Sequence, residues 1–312
     1  MADNQFFVHT GADLGDVEQL GYLYAGPGAM GFLDWIATQA EDDGIDHLLF
    51  LSPGTSIPSL LAKHTRLAAS CSCLYGSLSS FMLAAIDERN FLEHIEYLMA
   101  NSEGMTAAAL LRRIGVTPPA AFVLDDLGLG DNVPIDGENH QRVAGLLRAM
   151  RGEILRVCYR NRRGLLRHLV ELGVQPDMRV ALVDIGWDGA IQAVFEHAVR
   201  QLVDLELFGY YLCLDESPDC LARCAERKMK SLLGSHSVEP ELLERFLANR
   251  AMAEFLFSAP DGPNVIYRGW PVDCAPILDG AENYTANHSG RRPPIETARP
   301  FVEFVAKAQY RV

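Results

Sequence analysis

The sequence is short of long apolar runs and of basic residues. No uninterrupted apolar stretch approaches the ~18 residues of a membrane span, so no transmembrane helix is expected. The start, MADNQFFVHTGADLGD, lacks the basic and apolar segments of a secretion signal. Lys and Arg number 27 against 41 Asp and Glu, giving a formal charge of −14. Because such a surface repels nucleic acid and anionic lipid, we expect neither as a partner.

Cysteine is present in an odd number and without a zinc-binding pattern. The seven cysteines are Cys71, Cys73, Cys158, Cys213, Cys220, Cys224 and Cys274. The two close pairs, Cys71/Cys73 and Cys220/Cys224, have no partner pair containing His at zinc-finger spacing. We therefore expect no metal site, incidental or structural thiols, and a reducing, cytoplasmic location.

Familiar catalytic and cofactor motifs are also missing. The chain has no Gly-x-Ser-x-Gly elbow, no His-Glu-x-x-His pair, no P-loop and no dinucleotide-binding glycine pattern. The sequence consequently names no cofactor, and any site must be sought in less common patterns.

What is present is a set of short apolar runs that each lead into a helix. These runs lie at 47–52, 180–184 and 205–214. Continuously apolar strands that alternate with helices favour an α/β fold, with a mostly parallel sheet flanked by helices. Between the first two runs, residues 57–175 are mainly of helical pattern, which predicts a large helical insert or cap.

The rest of the chain divides around this core. We expect a polar lead-in over residues 1–20 and the α/β domain over 21–258, entered by a turn at 22–28. The Pro/Gly-rich stretch 259–312 predicts a tail that wraps the domain with little regular structure.

The strongest candidate site is the turn Asp184–Gln192, which follows the second apolar run. Gly186 and Gly189 permit a tight turn and close approach of a ligand to the backbone. Trp187 has a face on which a sugar or base can stack, and Gln192 can hydrogen-bond a ligand. Asp184 is the candidate catalytic residue, able to bind a sugar hydroxyl, hold a metal or act as a base. The alternative is structural: Asp184 caps the turn and Trp187 fills the core.

A second candidate loop follows the first apolar run. Its hydroxyls and backbone N–H groups, from Ser52, Gly54, Thr55 and Ser56, are suited to binding an anion. A helix-capping turn, with Ser56 as the cap, explains the same residues. If the two strands are neighbours, both loops line one crevice.

These residues also carry a resemblance. Three stretches, 26–52, 182–192 with 209–211, and 254–260, resemble the domain that follows the hydrolase segment in bacterial proteins predicted to be haloacid dehalogenase-superfamily hydrolases. Such proteins accompany glycosyltransferases in surface-polysaccharide gene clusters. Only the pattern Asp-Ile-Gly-Trp-x-Gly-x-x-Gln, at Asp184–Gln192, is specific by itself.

The chain departs from this family in two places. The family has Ser-Arg-Asp-Gly where this chain has Ser52-Pro53-Gly54-Thr55, so one charged pair is lost and Asp184 is left as the expected sole acid of the crevice. The catalytic Asp-x-Asp hydrolase segment is absent, so phosphatase activity is not implied.

Three functions remain open on the sequence. The resemblance implies an enzyme or enzyme subunit of surface-polysaccharide synthesis that binds a nucleotide sugar or sugar phosphate. The lost Arg–Asp pair favours a non-catalytic scaffold that positions a partner glycosyltransferase. A phosphoribosyltransferase-like fold ranks last, because the paired acids of its diphosphate loop are not found.

Overall fold

A computed structural model describes residues 6–9, 17–52, 54–62, 67–200, 202–258, 265–267, 270–272, 275–288 and 292–310. Parts of the predicted lead-in and tail, together with Pro53 and Cys274, lie outside these ranges.

The elements of the first half are mostly helical. They are β1 (Phe6–His9), α1 (Val17–Leu20), a π-helical turn (Gly21–Ala25), α2 (Gly26–Asp43), β2 (His47–Ser52), α3 (Ser56–Leu61), β3 (Ser70–Tyr75), α4 (Leu78–Ala85), a 3₁₀ turn (Phe91–His94), α5 (Ile95–Met99), α6 (Ala107–Ile114), α7 (Ala121–Asp126), α8 (His140–Ala149) and α9 (Arg151–Glu171).

Strands and helices alternate in the second half. They are β4 (Arg179–Asp184), α10 (Ala190–Val199), β5 (Glu206–Cys213), α11 (Pro218–Glu226), β6 (Lys228–Leu233), α12 (Pro240–Ala248), α13 (Arg250–Ser258), β7 (Val265–Tyr267), β8 (Trp270–Val272), α14 (Ala275–Asn287), α15 (Pro294–Lys307) and β9 (Gln309–Tyr310).

The chain forms two compact units. Unit 1 comprises the described residues of Met1–Gly76, Val174–Ala193 and Asp204–Val312, and unit 2 comprises Ser77–Gly173 and Val194–Val203. Unit 2 is helical, and most of it is inserted between β3 and β4. None of the helices in the described ranges is both long and apolar enough to span a bilayer.

Unit 1 is built on a five-stranded parallel sheet in the order β3-β2-β4-β5-β6. This confirms the predicted α/β fold with a parallel sheet flanked by helices. The chain makes the sheet from its centre outwards, first to β3 on one side and then to β4, β5 and β6 on the other. The direction of winding therefore reverses between β2 and β4, which is where open α/β sheets bind ligands, at the carboxyl ends of the strands. A smaller sheet, in the order β8-β7-β1-β9, belongs to the same unit.

One face of the large sheet carries the main core. Alternate strand residues such as Phe50, Val183 and Tyr210 are buried in one apolar cluster with residues of α2, α12, α13 and α15. Side chains on a strand point alternately to the two faces of the sheet, so a strand whose consecutive residues are all buried needs helices on both faces. The continuous apolar runs seen in the sequence are typical of such strands.

Two strands were missed because they lie at the edges of this sheet. The range 57–175 was predicted to be mainly helical, yet β3 lies within it and pairs with β2. Its sequence, SCSCLY, is only weakly apolar because most of the strand is exposed or half-buried. No apolar run marks β6 in the sequence, because the strand, KMKSLL, begins with two lysines on either side of a methionine, as suits an edge strand.

The glycines of the predicted entry turn at 22–28 are helical instead. Pro27 stands in the first turn of α2, where a missing N–H is tolerated. A Cβ at Gly28 would lie 2.6 Å from Cγ of Phe301, and one at Gly31 would lie 2.5 Å from the carbonyl oxygen of Pro294. These glycines let α2 approach α15 closely, so the Gly-rich stretch reflects helix packing and not a turn.

The predicted tail likewise contains α14 and α15, where little regular structure was expected. Buried apolar residues of α15, among them Ala298, Phe301 and Val305, recur at helical spacing and join the main core. The Pro and Gly residues of the stretch obscured this spacing. Pro294 begins α15, where proline is tolerated, and Pro300 lies inside the helix.

We expect Gly31→Ala to lower the free energy of unfolding by roughly 1–3 kcal/mol, because the added methyl group must push α2 and α15 apart. Gly145→Ala is the matched control, since nothing lies within 4 Å of its new Cβ on the exposed side of α8. That change should stabilise the protein by about 0.5–1 kcal/mol. Urea unfolding followed by circular dichroism measures both. Equal effects of the two substitutions would show that α2 and α15 do not pack as described.

Candidate functional site

Asp184 is the last residue of β4 and lies at the carboxyl edge of the sheet. Its Oδ1 accepts a hydrogen bond from the backbone N–H of Ile185 at 2.8 Å. Protein atoms surround the carboxyl, although the residue as a whole keeps some contact with solvent. This burial, reinforced by the negative charges of Glu254 and Asp188, raises the pKa of Asp184 to about 7. Asp184 therefore titrates near neutral pH.

The loop after β2 meets Asp184 at one point. A Cβ placed on Gly54 would lie 3.6 Å from Oδ1 of Asp184. The pairing of β2 with β4 brings this about, because the two parallel strands end side by side. The two candidate loops are therefore neighbours, as the sequence predicted on the condition that their strands pair.

The hydroxyl groups of this loop are engaged within the protein. Ser52 and Ser56 are buried, and Thr55 is fully buried. Thr55 donates its hydroxyl hydrogen to the carbonyl oxygen of Leu51 at 2.8 Å. Thr55, and not Ser56, occupies the N-cap position of α3, and its side chain makes no capping bond there. Gly54 is the residue of this loop that is placed beside Asp184.

Trp187 is held in place by residues of two helices, α12 and α13, of the main core. Its indole N–H donates to Oε1 of Glu254 at 2.7 Å, and its ring lies 6.1 Å from that of Phe246. The ring remains partly exposed while it packs against the apolar core. These contacts fix the ring, as the structural alternative for Trp187 proposed.

Glu254, from α13, is the site residue that the sequence did not single out. Its carboxylate accepts the Trp187 bond and raises the pKa of Asp184 by its charge. The expectation that Asp184 is the sole acid of the crevice is therefore wrong. The available signal was the resemblance itself, since Trp187 and Glu254 belong to two of its three stretches and meet in the fold.

Asp188 caps the helix that follows. Its Oδ1 accepts from the backbone N–H of Ala190 at 3.0 Å, and its Oδ2 accepts from Nη1 of Arg223 at 3.0 Å. A helix N-terminus favours an anion such as phosphate, and the N-terminus of α10 already carries the carboxylate of Asp188. A phosphate at this helix N-terminus would be repelled by the negative charge of Asp188.

Gly186 and Gly189 both have backbone conformations that favour glycine, with φ of 144° and 73°. A Cβ on Gly186 would collide with the carbonyl oxygen of Cys213, and one on Gly189 would collide with the side chain of Met229. The turn is also bonded to the end of β5 and the residues after it: Cys213 N–H donates to the carbonyl oxygen of Ile185, and Asp215 N–H donates to that of Trp187. Close packing within the protein accounts for both glycines.

Gln192 lies away from the crevice, between α10 and β5. It is fully buried, and its Oε1 accepts the hydroxyl of Tyr211 at 2.9 Å. Gly209, which has no side chain, makes room for this amide. Gly209 is in register with Leu182, two residues before Asp184. Gln192 therefore packs nearer to the middle of the strands than Asp184 does. The structure therefore brings Asp184 and Gly54 together and places Gln192 elsewhere.

No group of three or more His, Cys, Asp or Glu residues in the described part of the chain surrounds a position suited to a metal ion. In this region Asp184, Asp188 and Glu254 make their contacts with the protein itself. The chemistry that the arrangement offers is hydrogen bonding and proton transfer by a partly protonated carboxyl.

Comparison with known proteins adds no assignment. Neither protein-family models nor curated protein sequences give a match to this chain. The role of the site is therefore argued from its geometry.

The contact between Gln192 and Tyr211 can be tested by removing one hydroxyl. We expect Tyr211→Phe to lower the free energy of unfolding by roughly 1–2 kcal/mol, because a buried amide oxygen loses its donor. Tyr75→Phe is the control, since Tyr75 is 64% exposed. Chemical denaturation compares the two variants. A Tyr211→Phe variant as stable as Tyr75→Phe would contradict the packing role.

The raised pKa of Asp184 makes a prediction about pH. The unfolded side chain loses its proton near pH 3.8 and the folded one near pH 7, so folding becomes progressively less favourable between these values. Asp184→Asn removes this penalty, and we expect the variant to be more stable than the wild type at pH 8 by at most about 4 kcal/mol.

The measurement is urea unfolding of both proteins at pH 5 and pH 8. The stability gap should widen as the pH rises. Asp131→Asn, at an exposed turn of unit 2, should show no such trend. A gap that is equal at both pH values would mean that Asp184 titrates normally.

Proposed function

We propose that this protein binds a nucleotide sugar or sugar phosphate where the loops after β2 and β4 meet. It would act as an enzyme or enzyme subunit of bacterial surface-polysaccharide synthesis, in the cytoplasm. The observation that carries the proposal is the Asp184 carboxyl beside Gly54, at the point where the winding of the sheet reverses. The sequence resemblance supplies the substrate class.

Asp184 would contact the reacting or hydroxyl-bearing part of the ligand. With a pKa of about 7, it is present in both protonation states at neutral pH, so it can donate to a ligand oxygen or accept from a hydroxyl. A bound phosphate would add negative charge nearby and favour the protonated, donating form. Asp184 is thus the proposed catalytic acid or base.

Glu254 and Trp187 would hold the floor of the site. Their hydrogen bond of 2.7 Å fixes the carboxylate that raises the pKa of Asp184. The fixed indole is partly exposed, so it offers an apolar surface within the turn that follows Asp184. The backbone at Gly54 leaves space opposite Asp184, because a Cβ there would meet only ordinary contacts at 3.6 Å.

A non-catalytic scaffold for a partner glycosyltransferase is the second candidate. It is favoured by the internal hydrogen bonds of Thr55 and Gln192, which engage polar groups that the sequence assigned to a ligand. In that case the turn after β4 would serve to hold α10 on the sheet.

Isothermal titration calorimetry with a panel of nucleoside diphosphate sugars and sugar 1-phosphates tests the proposal. We expect one panel member to bind, and Asp184→Asn to weaken its Kd by at least tenfold, or about 1.4 kcal/mol. Asp131→Asn, far along the chain in unit 2, is the charge-matched control and should bind as the wild type does.

Two outcomes count against the enzyme. The absence of heat with every panel member, in a folded protein, would favour the scaffold. Binding that Asp184→Asn leaves unchanged would place the ligand elsewhere in the protein.

A further inference from the structure

Three sulfur-containing residues of unit 1 line a single cavity that is separate from the site at Asp184. The cavity has a volume of about 400 Å³, and its lining includes Cys220 and Cys224 of α11 and Met229 of β6. The two cysteines are four residues apart and so lie on one face of the helix. Neither takes part in a disulfide.

The two thiols are already in contact. Cys220 and Cys224 are joined by a side-chain hydrogen bond, and burial, followed by the neighbouring Cys224, raises the pKa of Cys220 to about 11. Cys220 is almost fully buried, whereas Cys224 is partly exposed. One thiol is therefore held in place by the fold and the other is reachable from solvent.

Met229 brings a third sulfur from another element. It packs, together with Cys224, against the small buried cluster formed by Tyr211, Leu214 and Cys220. No pattern in the sequence links Met229 to the two cysteines, because only the packing of α11 against β6 places them on one cavity. The absence of a metal site was expected from zinc-ligand spacing, and zinc takes four nitrogen, oxygen or thiolate ligands.

We propose that Cys220, Cys224 and Met229 form a binding site for a soft monovalent cation, Cu(I). Soft thiolate and thioether sulfurs suit Cu(I), and the usual ligands of zinc do not include a thioether. The described ranges hold no cluster of three or more His, Cys, Asp or Glu residues suited to a metal ion, so the third ligand of this site is the thioether of Met229. Each thiol releases its proton to solvent as its sulfur bonds the cation, so two protons leave for each Cu(I) bound and nothing is oxidised.

The site also touches the turn after β4. The side chain of Met229 fills the space beside Gly189 that a Cβ would occupy, with Sδ 3.1 Å from that position. Arg223, one residue before Cys224, holds Asp188 of the same turn. Cu(I) bound by Met229 and α11 would therefore fix the side of the turn opposite Asp184.

The test is a competition for Cu(I), under anaerobic conditions, between the full-length protein and a chromophoric Cu(I) chelator. The wild type should withdraw one equivalent of Cu(I) and release two protons, measured with a pH indicator. Cys224→Ser should weaken binding at least a hundredfold, and Met229→Leu about tenfold. Cys71→Ser/Cys73→Ser, which removes the cysteine pair of β3, is the matched control and should bind as the wild type does.

Cys224→Ser decides the test because Cys224 is only partly buried, and circular dichroism checks that the variant is folded. The site is disproved if the wild type withdraws no more Cu(I) than Cys224→Ser does, or if the control loses the binding instead. Unchanged affinity in Met229→Leu would overturn the assignment of the third ligand.

Discussion

The pairing of β2 with β4 is the constraint on which the candidate site depends. These strands are far apart in the chain, with unit 2 inserted between β3 and β4, yet Phe50 lies opposite Val183 in the sheet. Because both strands run in the same direction and end together, the loop at Gly54 is placed beside Asp184. The burial that follows from this position, at the centre of the sheet, is also the main reason why Asp184 holds its proton to neutral pH.

Most residues of the turn after β4 are fixed by packing within the protein, whereas Asp184 lies at the edge of the sheet. Gly189 and Gln192 are required by their contacts with Met229 and Tyr211, and Gly186 by the last residue of β5. Most of the specific Asp-Ile-Gly-Trp-x-Gly-x-x-Gln pattern is therefore explained by the way α10 and β5 fit together. Asp184 is different, because its carboxyl accepts hydrogen bonds from the backbone of the two residues that follow it and lies at the edge of the sheet.

The central strands could be predicted from the sequence better than the edge strands and the long-range contacts. The central strands are apolar throughout because both of their faces are covered, and that pattern is visible without a structure. The edge strand β3 has a mostly exposed surface and no such pattern. Glu254 could not be placed from local sequence, because its contact with Trp187 joins residues 67 positions apart. The glycines of α2 led to the wrong prediction of a turn, because glycine occurs both in turns and at close helix–helix contacts.

The helix α10 belongs to both units, and this affects how the protein is made. Gln192, near its start, completes a contact with β5 in unit 1, whereas the ring of Phe195, one turn later, lies 5.2 Å from that of Phe81 in unit 2, and both rings are buried. Phe81 is made long before Phe195. The growing chain therefore exposes the apolar surface around Phe81 until α10 has followed it.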